Sequence, residues 1–199
     1  MKKILFIWMM LLPIVGMSQI NPKYGVGAVP VENGRVIFTK VIDAPISAQE
    51  MYEIAKDWAT ENFKQEKEMP NRKIYETNDS NLEIIAGGEE FIVFTARALS
   101  LDRTRVYYKM NIACHDKQLT ARIYDIRYWY EEERNGGQKY KAEEWITDEM
   151  GLNKKKTKLA RLTGKFRRKT IDRVEELFTD LEMTISRKVL KDILQEEKQ

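Results

Sequence analysis

The chain of 199 residues contains one cysteine and one histidine, and these two scarcities exclude several classes of site. A single cysteine cannot close an intramolecular disulfide, and the sequence has neither the cysteine pair nor the helical histidine pair of a zinc site. Cys114 and His115 are adjacent, so on a strand their side chains point to opposite faces and cannot form a nucleophile and base pair. We therefore expect no catalytic residues, no metal site and no cofactor.

Phosphate-binding and nucleophile motifs are also missing. Gly25-Val26-Gly27 lacks the third glycine of a dinucleotide-binding loop and is soon followed by Pro30. No nucleophile elbow occurs. Carboxylates are plentiful at Glu89, Glu90 and 131–133, where such runs usually solvate loops. A carboxylate-dependent hydrolase is the one enzymatic alternative that remains open.

Long hydrophobic runs are absent too, since the apolar stretch from Ile4 to Val15 is well short of the roughly 20 residues of a membrane-spanning helix. Lys2 and Lys3 precede this stretch and Gly16-Met17-Ser18 follows it, which is typical of a secretory signal peptide. We predict cleavage after Ser18; an uncleaved membrane anchor is the alternative. The sequence thus predicts an exported protein, periplasmic or at the cell surface, without a transmembrane segment once the leader is removed.

Neither sign of charge dominates, because 34 Lys and Arg oppose 31 Asp and Glu, for a formal net charge of +3. Residues 153–173 nevertheless hold ten basic residues and one acid. Five of the basic residues recur at helical spacing and would form one basic stripe on a continuous helix. An anionic lipid, glycan or protein surface is the partner that such a stripe favours, and a solvated helix face is the alternative. The stripe consists of Lys154, Lys158, Arg161, Lys165 and Arg168.

Local patterns predict the secondary structure. Residues 35–43 are typical of a strand, and Ser47 with Glu50 forms a capping box that begins a helix running to about Lys64. The spacing of Met51, Ile54, Ala55 and Trp58 gives that helix one buried face. Four further strands are predicted at residues 72–77, 82–98, 104–116 and 119–130, with turns at 78–81, 100–103 and 115–118.

Several features stay open at this level. Gly87-Gly88 predicts a bulge, a bend or a hairpin that divides the second of these strands, and residues 140–150 fit either a strand or a short helix. From Thr157 onward the periodicity is helical, but Leu159, Leu162 and Phe166 point away from the later set Val174, Leu177, Leu181 and Ile185. A break or kink near Gly164, or simply a wide buried face, resolves this, and we expect the final helix proper to begin between Gly164 and Lys169. Cys114 continues an apolar series and is expected to be buried.

The predicted fold class is α+β: one curved antiparallel sheet in the order strand, helix, four strands, helix, with the helices packed on the sheet. The predicted divisions are a signal peptide at 1–18, a lead-in segment at 19–34, a sheet domain at 35–130, a connecting segment at 131–156 and a C-terminal helical region at 157–199.

The chain resembles an exported bacterial family of unknown function that has a TATA-box-binding-protein-like fold. The resemblance is carried by the segments Arg35-Val36-Ile37-Phe38, Ser47 to Phe63 with Met51-Tyr52 and Trp58, Leu119 to Tyr128, and Arg167 to Asp172. It implies the fold, covers residues 34–130 best, and brings no established catalytic or binding residues.

Two binding features remain as candidates, the basic stripe and a set of tyrosines. On the last strand, Tyr124, Tyr128 and Tyr130 are expected on one face, and together with Tyr108 they line a cavity between sheet and helix or form the core itself. The leading hypothesis is an exported, non-catalytic binding module whose ligand or partner the sequence does not name, with no nucleic acid expected. The alternative is an envelope structural or interaction protein that contacts anionic surfaces through the basic stripe.

Overall fold

The computed structural model describes residues 20–97 and 100–196. The predicted signal peptide, residues 1–18 with its cleavage point after Ser18, lies outside the described residues. The strands are β1 (Val31–Glu32), β2 (Arg35–Val36), β3 (Phe38–Asp43), β4 (Lys73–Asn78), β5 (Glu83–Arg97), β6 (Ser100–His115), β7 (Gln118–Tyr130) and β8 (Gln138–Lys141). The helices are α1 (Ala48–Asn62), α2 (Ala142–Trp145), α3 (Asp148–Gly151) and α4 (Thr163–Glu196).

Six strands form one antiparallel sheet in the order β3-β7-β6-β5-β4, with β8 pairing beside β3 on the second half of β7. The helices α1 and α4 pack on one face, which we call the inner face, and the opposite face is the outer face. The predicted α+β fold is confirmed. The structure adds one strand, β8, and two short helices, α2 and α3, which lie between β7 and α4 in the chain. No helix within residues 20–97 and 100–196 is long and apolar enough to cross a bilayer.

The first helix begins as its sequence predicts. Ser47 Oγ accepts a hydrogen bond from Glu50 N at 3.3 Å, and Glu50 Oε2 accepts one from Ser47 N at 3.0 Å. These bonds satisfy amide groups that have no partner inside the helix. The buried face includes Met51, Ala55 and Trp58, and the exposed fraction of Trp58 is 5%. The predicted capping box and the burial of Trp58 are confirmed.

The last helix begins at Thr163, one residue before the predicted interval, and continues for 34 residues. Leu159 and Leu162 therefore precede it, and Leu162 is 52% exposed. The two apolar sets need not share one helix face, because the first lies mostly in an irregular segment. The second set, Val174, Leu177, Leu181 and Ile185, is buried against the sheet and α1.

The glycine pair at residues 87 and 88 has a different role from the predicted bulge or hairpin. β5 continues through both glycines; its pairing with β6 shifts register later, between Val93 and Thr95, and its pairing with β4 shifts between Ile74 and Glu76. A Cβ atom at Gly88 would overlap the Tyr108 ring on the inner face, and one at Gly87 would overlap the Tyr75 ring on the outer face. The glycines provide room for two aromatic rings, which is one of the recognised uses of glycine within a strand.

Two other local predictions change. Residues 100–103, predicted as a turn, belong to β6, whose pairing with β5 extends to Arg97 and Ser100. Residues 138–151 combine both predicted alternatives, since β8 runs directly into α2 and α3 follows. Cys114 is buried as expected, and burial raises the pKa of its thiol to about 12.

One buried arginine ties the first described residues to α4. The Arg167 side chain donates hydrogen bonds to the carbonyl oxygens of Tyr24, Gly25 and Ile146 and forms an ion pair with Asp148 at 2.7 Å. A buried guanidinium is costly unless its donors are satisfied, and these four acceptors satisfy them.

Candidate binding site

A β-bulge in the middle of β7 decides which side chains reach the outer face. Lys109 pairs with Tyr124, and Tyr107 pairs with Arg127. Two residues of β7, Asp125 and Ile126, therefore lie opposite the one residue of β6 between these pairs. Asp125 has a φ of 54°, a left-handed conformation that is uncommon for any residue except glycine, asparagine and aspartate. Bulges of this kind re-aim side chains and are enriched next to functional sites.

The bulge shifts the alternation of β7 by one residue. Leu119, Ala121 and Ile123 are buried before it, whereas Ile126 and Tyr128 are buried after it. Tyr124 therefore lies on the outer face, and the prediction that it shares a face with Tyr128 and Tyr130 is wrong. The sequence signal for this was the change from odd-numbered to even-numbered apolar positions along the strand.

Aromatic rings and cations alternate on the outer face both along and across two neighbouring strands. The register pairs a cation with an aromatic ring in each of three successive rows. We call these six residues the checkerboard: Arg105, Tyr107 and Lys109 on β6, opposite Trp129, Arg127 and Tyr124 on β7. β8 extends two of the rows with further cations, since Lys141 pairs with Arg127 and Lys139 pairs with Trp129.

A hollow of about 500 Å³ lies on this face. We call it the outer-face hollow; its lining includes Tyr75, Tyr107, Lys109, Arg127, Lys139, Lys141 and Glu144. Tyr75, on β4, closes one side with its ring above Gly87. The volume is within the range of about 300–1,000 Å³ that is usual for small-molecule sites.

Its electrostatics are dominated by cations. Asp125 Oδ2 lies 3.9 Å from Lys109 Nζ, and Asp125 Oδ1 lies 3.4 Å from Arg127 Nε. These two cations keep 45% and 55% of their side-chain surface exposed. Among the described residues, no carboxylate oxygen lies within 4.0 Å of the ammonium group of Lys139 or Lys141. The hollow therefore carries an excess of positive charge that its own acids do not balance.

Two phenol groups of the checkerboard complete the polar surface. Burial raises the pKa of both Tyr107 and Tyr124, so both hydroxyls are neutral at pH 7. Within the described part of the chain, neither hydroxyl has a hydrogen-bond partner. Each is free to donate and accept a hydrogen bond with a ligand.

Arg105, by contrast, is fixed at the end of the checkerboard. Its Nη1 lies 2.9 Å from Glu89 Oε1 and its Nε lies 2.9 Å from Glu132 Oε2, while its guanidinium carbon lies 4.5 Å from the centre of the Phe91 ring. Glu89 is buried and also accepts hydrogen bonds from the main-chain and side-chain nitrogens of Asn71. Glu89 and Glu132 thus neutralise the charge of Arg105, so this guanidinium is not expected to bind an anionic ligand.

The four tyrosines predicted to line a cavity or to form the core do not meet around one cavity between sheet and helix; Tyr108 and Tyr128 belong to the core and also contribute to the lining of the outer-face hollow. Tyr108 and Tyr128 lie in the core, where Tyr108 donates to Glu90 Oε1 at 2.9 Å and Tyr128 contacts the Thr170 hydroxyl. Tyr130 is half-buried, and its hydroxyl donates to Asp102 Oδ1 at 3.0 Å. The void found between this part of the sheet and α4 measures only about 10 Å³.

The basic stripe is not one helix face, which corrects the prediction of a continuous helix. Lys154, Lys158 and Arg161 are exposed in the irregular segment before α4, and Arg168 is exposed on the helix. Lys165 points instead to the end of the sheet, 2.7 Å from Asp102 Oδ2 and 2.9 Å from the Tyr130 hydroxyl. The stripe requires a helix through residues 154–168, and the helix begins only at Thr163.

The carboxylates left open for a hydrolase are also separated. Glu89 lies on the outer face with Arg105, whereas Glu90 lies on the inner face, 2.9 Å from Arg173 Nε. Glu131 and Glu133 pair with arginines at the surface. In the part of the chain that the structure describes, no group of three His, Cys, Asp or Glu side chains is arranged to hold a metal ion.

Comparison with known proteins places the chain in a family. The family model described as a domain of unknown function (DUF4468) with TBP-like fold matches residues 38–129. The crystal structure of a DUF4468 family protein from Bacteroides ovatus ATCC 8483 is 38% identical, with a TM-score of 0.74 over 82% of this chain and 93% of that chain. The chain belongs to the DUF4468 family. A TBP-like protein from Parabacteroides distasonis ATCC 8503 shares the fold at 22% identity, with a TM-score of 0.66 over 79% of this chain and 97% of that chain.

Membership of DUF4468 confirms the predicted TBP-like fold and assigns no activity. No curated protein matches the chain. The segment matched by the DUF4468 model contains the checkerboard, whereas Lys139 and Lys141 lie beyond its end at residue 129.

Proposed function

We propose that this DUF4468 protein is a non-catalytic binding module that takes an anionic ligand in the outer-face hollow. The observation that carries the proposal is the alternation of rings and cations in the checkerboard, extended by Lys139 and Lys141. Strand pairing holds these side chains at fixed separations, because neighbouring strands lie about 4.8 Å apart and same-face residues about 6.8 Å apart. A ligand bound there meets several positioned groups at once.

Charge provides the attraction. Two unit charges 4 Å apart interact with about 1 kcal/mol in bulk water and about 4 kcal/mol near a protein surface, where the effective dielectric constant is about 20. Among the described residues, the ammonium groups of Lys139 and Lys141 form no ion pair within 4.0 Å that a ligand would have to displace. Lys109 and Arg127 share Asp125, so an incoming anion competes with this internal carboxylate.

We also propose that the protein works outside the cytoplasm. The support is the leader-like pattern of Lys2, Lys3 and the apolar run from Ile4 to Val15. N-terminal sequencing of the protein from its native cell is expected to give a chain that begins at Gln19. A chain that still begins at Met1 and sediments with membranes would contradict export.

The alternative to a binding module is an envelope structural or interaction protein that contacts anionic surfaces through Lys154, Lys158, Arg161 and Arg168. The observation that favours it is the exposure of all four residues. Its cations belong to a loop and to the first turns of α4 rather than to one helix stripe. It makes a different prediction about which charges matter.

Matched charge reversals separate the two functions. The variant Lys139→Glu/Lys141→Glu changes the outer-face hollow, and Lys154→Glu/Lys158→Glu makes the same change in net charge on the loop. Binding to oligogalacturonate, polyphosphate and phosphatidylglycerol vesicles is measured at about 50 mM salt, where charge screening is weak. We expect the hollow variant to lose at least tenfold in affinity for one probe while the loop variant keeps it. Loss in the loop variant alone would support the envelope alternative and contradict our proposal.

A further inference from the structure

We infer that the ligand of the outer-face hollow is an acidic oligosaccharide, with many hydroxyl groups and few, widely spaced carboxylates. This inference rests on the proposed function and adds the chemical class of the ligand. It follows from three properties of the hollow: which ring faces are free, how its charges are distributed, and which neutral groups it offers.

Cations already cover the ring of Tyr75 in the hollow and the rings of Trp129 and Phe91 beside it, which disfavours base stacking on these three rings. Lys139 Nζ lies 5.0 Å from the centre of the Trp129 ring, and Lys73 Nζ lies 5.4 Å from that of Tyr75. The guanidinium carbons of Arg103 and Arg105 lie 3.9 Å and 4.5 Å from the centre of the Phe91 ring. Single-stranded nucleic acids bind largely by stacking bases on free aromatic faces, so this surface suits them poorly.

The charge of the hollow is positive but sparse. Acids lie among and beside its cations: Asp125 between Lys109 and Arg127, and Glu144 in the lining. A nucleic acid duplex carries a negative charge for about every 1.7 Å of its axis. Such a dense polyanion would place phosphates against these acids, whereas a ligand with isolated carboxylates can meet the cations and avoid them.

The hollow is lined by Tyr107, and Tyr124 lies on the same face, where it pairs with Lys109. The phenol groups of Tyr107 and Tyr124 lie on the outer face without hydrogen-bond partners among the described residues. A neutral hydroxyl both donates and accepts, which matches the hydroxyl groups of a sugar. The ring of Tyr107, whose face is electron-rich, adds contact area for the C–H groups of a pyranose ring.

The size of the hollow favours a short segment. At about 500 Å³ it fits the usual range for small-molecule sites. A recess on a sheet face also limits contact with a flat bilayer surface, because its lysines and Arg127 line the recess. An oligosaccharide of a few residues, free or as a stretch of a longer chain, meets these conditions.

The test uses the full mature chain and four probes of known structure. Trigalacturonate carries carboxylates and hydroxyls, maltotriose carries hydroxyls alone, tripolyphosphate carries dense charge without hydroxyls, and a short oligothymidylate supplies bases. Affinities are measured by isothermal titration calorimetry at about 50 mM salt. We expect trigalacturonate to bind at least tenfold more tightly than each of the other three.

Two variants link this preference to the hollow. Tyr107→Phe removes one hydroxyl and keeps the ring, and we expect it to weaken trigalacturonate binding about 5- to 10-fold, as loss of one hydrogen bond does. Lys154→Glu/Lys158→Glu serves as the control and is expected to bind like the wild type. An unchanged affinity in Tyr107→Phe would overturn the inference.

The outcomes separate the inference from the proposed function. If tripolyphosphate or oligothymidylate binds more tightly than trigalacturonate and depends on Lys139 and Lys141, the inference fails and the anion-binding function stands. If no anionic probe binds, or maltotriose binds equally well, both fail.

Discussion

Trp58 Nε1 donates a hydrogen bond of 2.7 Å to Asp180 Oδ2, and this bond links α1 to α4 on the inner face of the sheet. The indole ring is almost completely buried and packs edge-on against Phe63 at a centroid distance of 6.0 Å. The Trp58 side chain therefore adds a hydrogen bond to the apolar packing of the two helices that close the core.

Trp58→Ala is expected to lower the free energy of unfolding by about 3–5 kcal/mol, because it removes a large buried ring and leaves a cavity. Asp180→Ala removes only the acceptor and is expected to cost about 1–3 kcal/mol. Urea denaturation followed by circular dichroism measures both. A loss below about 0.5 kcal/mol for Trp58→Ala would contradict the assigned helix face.

Gly88→Ala is expected to destabilise the protein by about 1–3 kcal/mol, since the added methyl group overlaps the Tyr108 ring. The same substitution in a Tyr108→Leu background has room and should cost less. A double-mutant cycle in denaturant measures the coupling, which we expect to be at least about 0.5 kcal/mol. Additive effects would show that the ring is not what requires the glycine.

Arg167→Met removes one donor from Asp148 and from three carbonyl oxygens, and among the described residues only Asp148 and Gly25 O keep a second donor, so we expect a loss of about 3–5 kcal/mol. Hydrogen exchange should show that residues 20–30 lose protection first, because Arg167 holds Tyr24 and Gly25. The neighbouring Arg168→Met is the matched control, since Arg168 is exposed. Equal effects of the two substitutions would contradict the assigned role of Arg167.

The thiol of Cys114 is expected to make stability depend on alkaline pH. Its pKa is raised by burial from 9.0 to about 12 in the folded chain. The contribution to stability is therefore complete below pH 9 and is lost as pH rises towards 12, by about 1.4 kcal/mol per pH unit. Comparison of the wild type with Cys114→Ala between pH 8 and about pH 10.5 isolates this effect from tyrosine ionisation. Parallel pH profiles for the two proteins would count against it.

Much of the fold can be predicted from short segments of the sequence. Ser47 and Glu50 satisfy each other within one turn, and Trp58 continues a spacing that only a helix with one buried face explains. The strands 72–77 and 119–130 were predicted within two residues of their observed ends, because alternation and turn residues act locally.

The candidate site cannot be predicted from local sequence, because it depends on the register between paired strands. The bulge at Asp125 moves Tyr124 to the outer face, and no property of Tyr124 itself signals that change. Lys154 and Lys165 have the sequence spacing of residues on one helix face. Because the chain before Thr163 is irregular, this spacing does not bring their side chains onto one face. Only the pairing of Lys139 with Trp129 and of Lys141 with Arg127 shows that these two lysines lie beside the checkerboard.

Removal of the internal counter-ion gives the most direct test of anion binding on the outer face. Asp125→Asn keeps a residue type that tolerates the left-handed conformation, and it removes the carboxylate that Lys109 and Arg127 share. Asp57→Asn makes the same charge change on the exposed side of α1. The affinity for trigalacturonate is measured for both variants by titration calorimetry at about 50 mM salt. We predict that Asp125→Asn binds about fivefold more tightly than the wild type, as expected when one partly exposed ion pair no longer competes, while Asp57→Asn is unchanged. An affinity for Asp125→Asn equal to or weaker than that of the wild type would contradict the account.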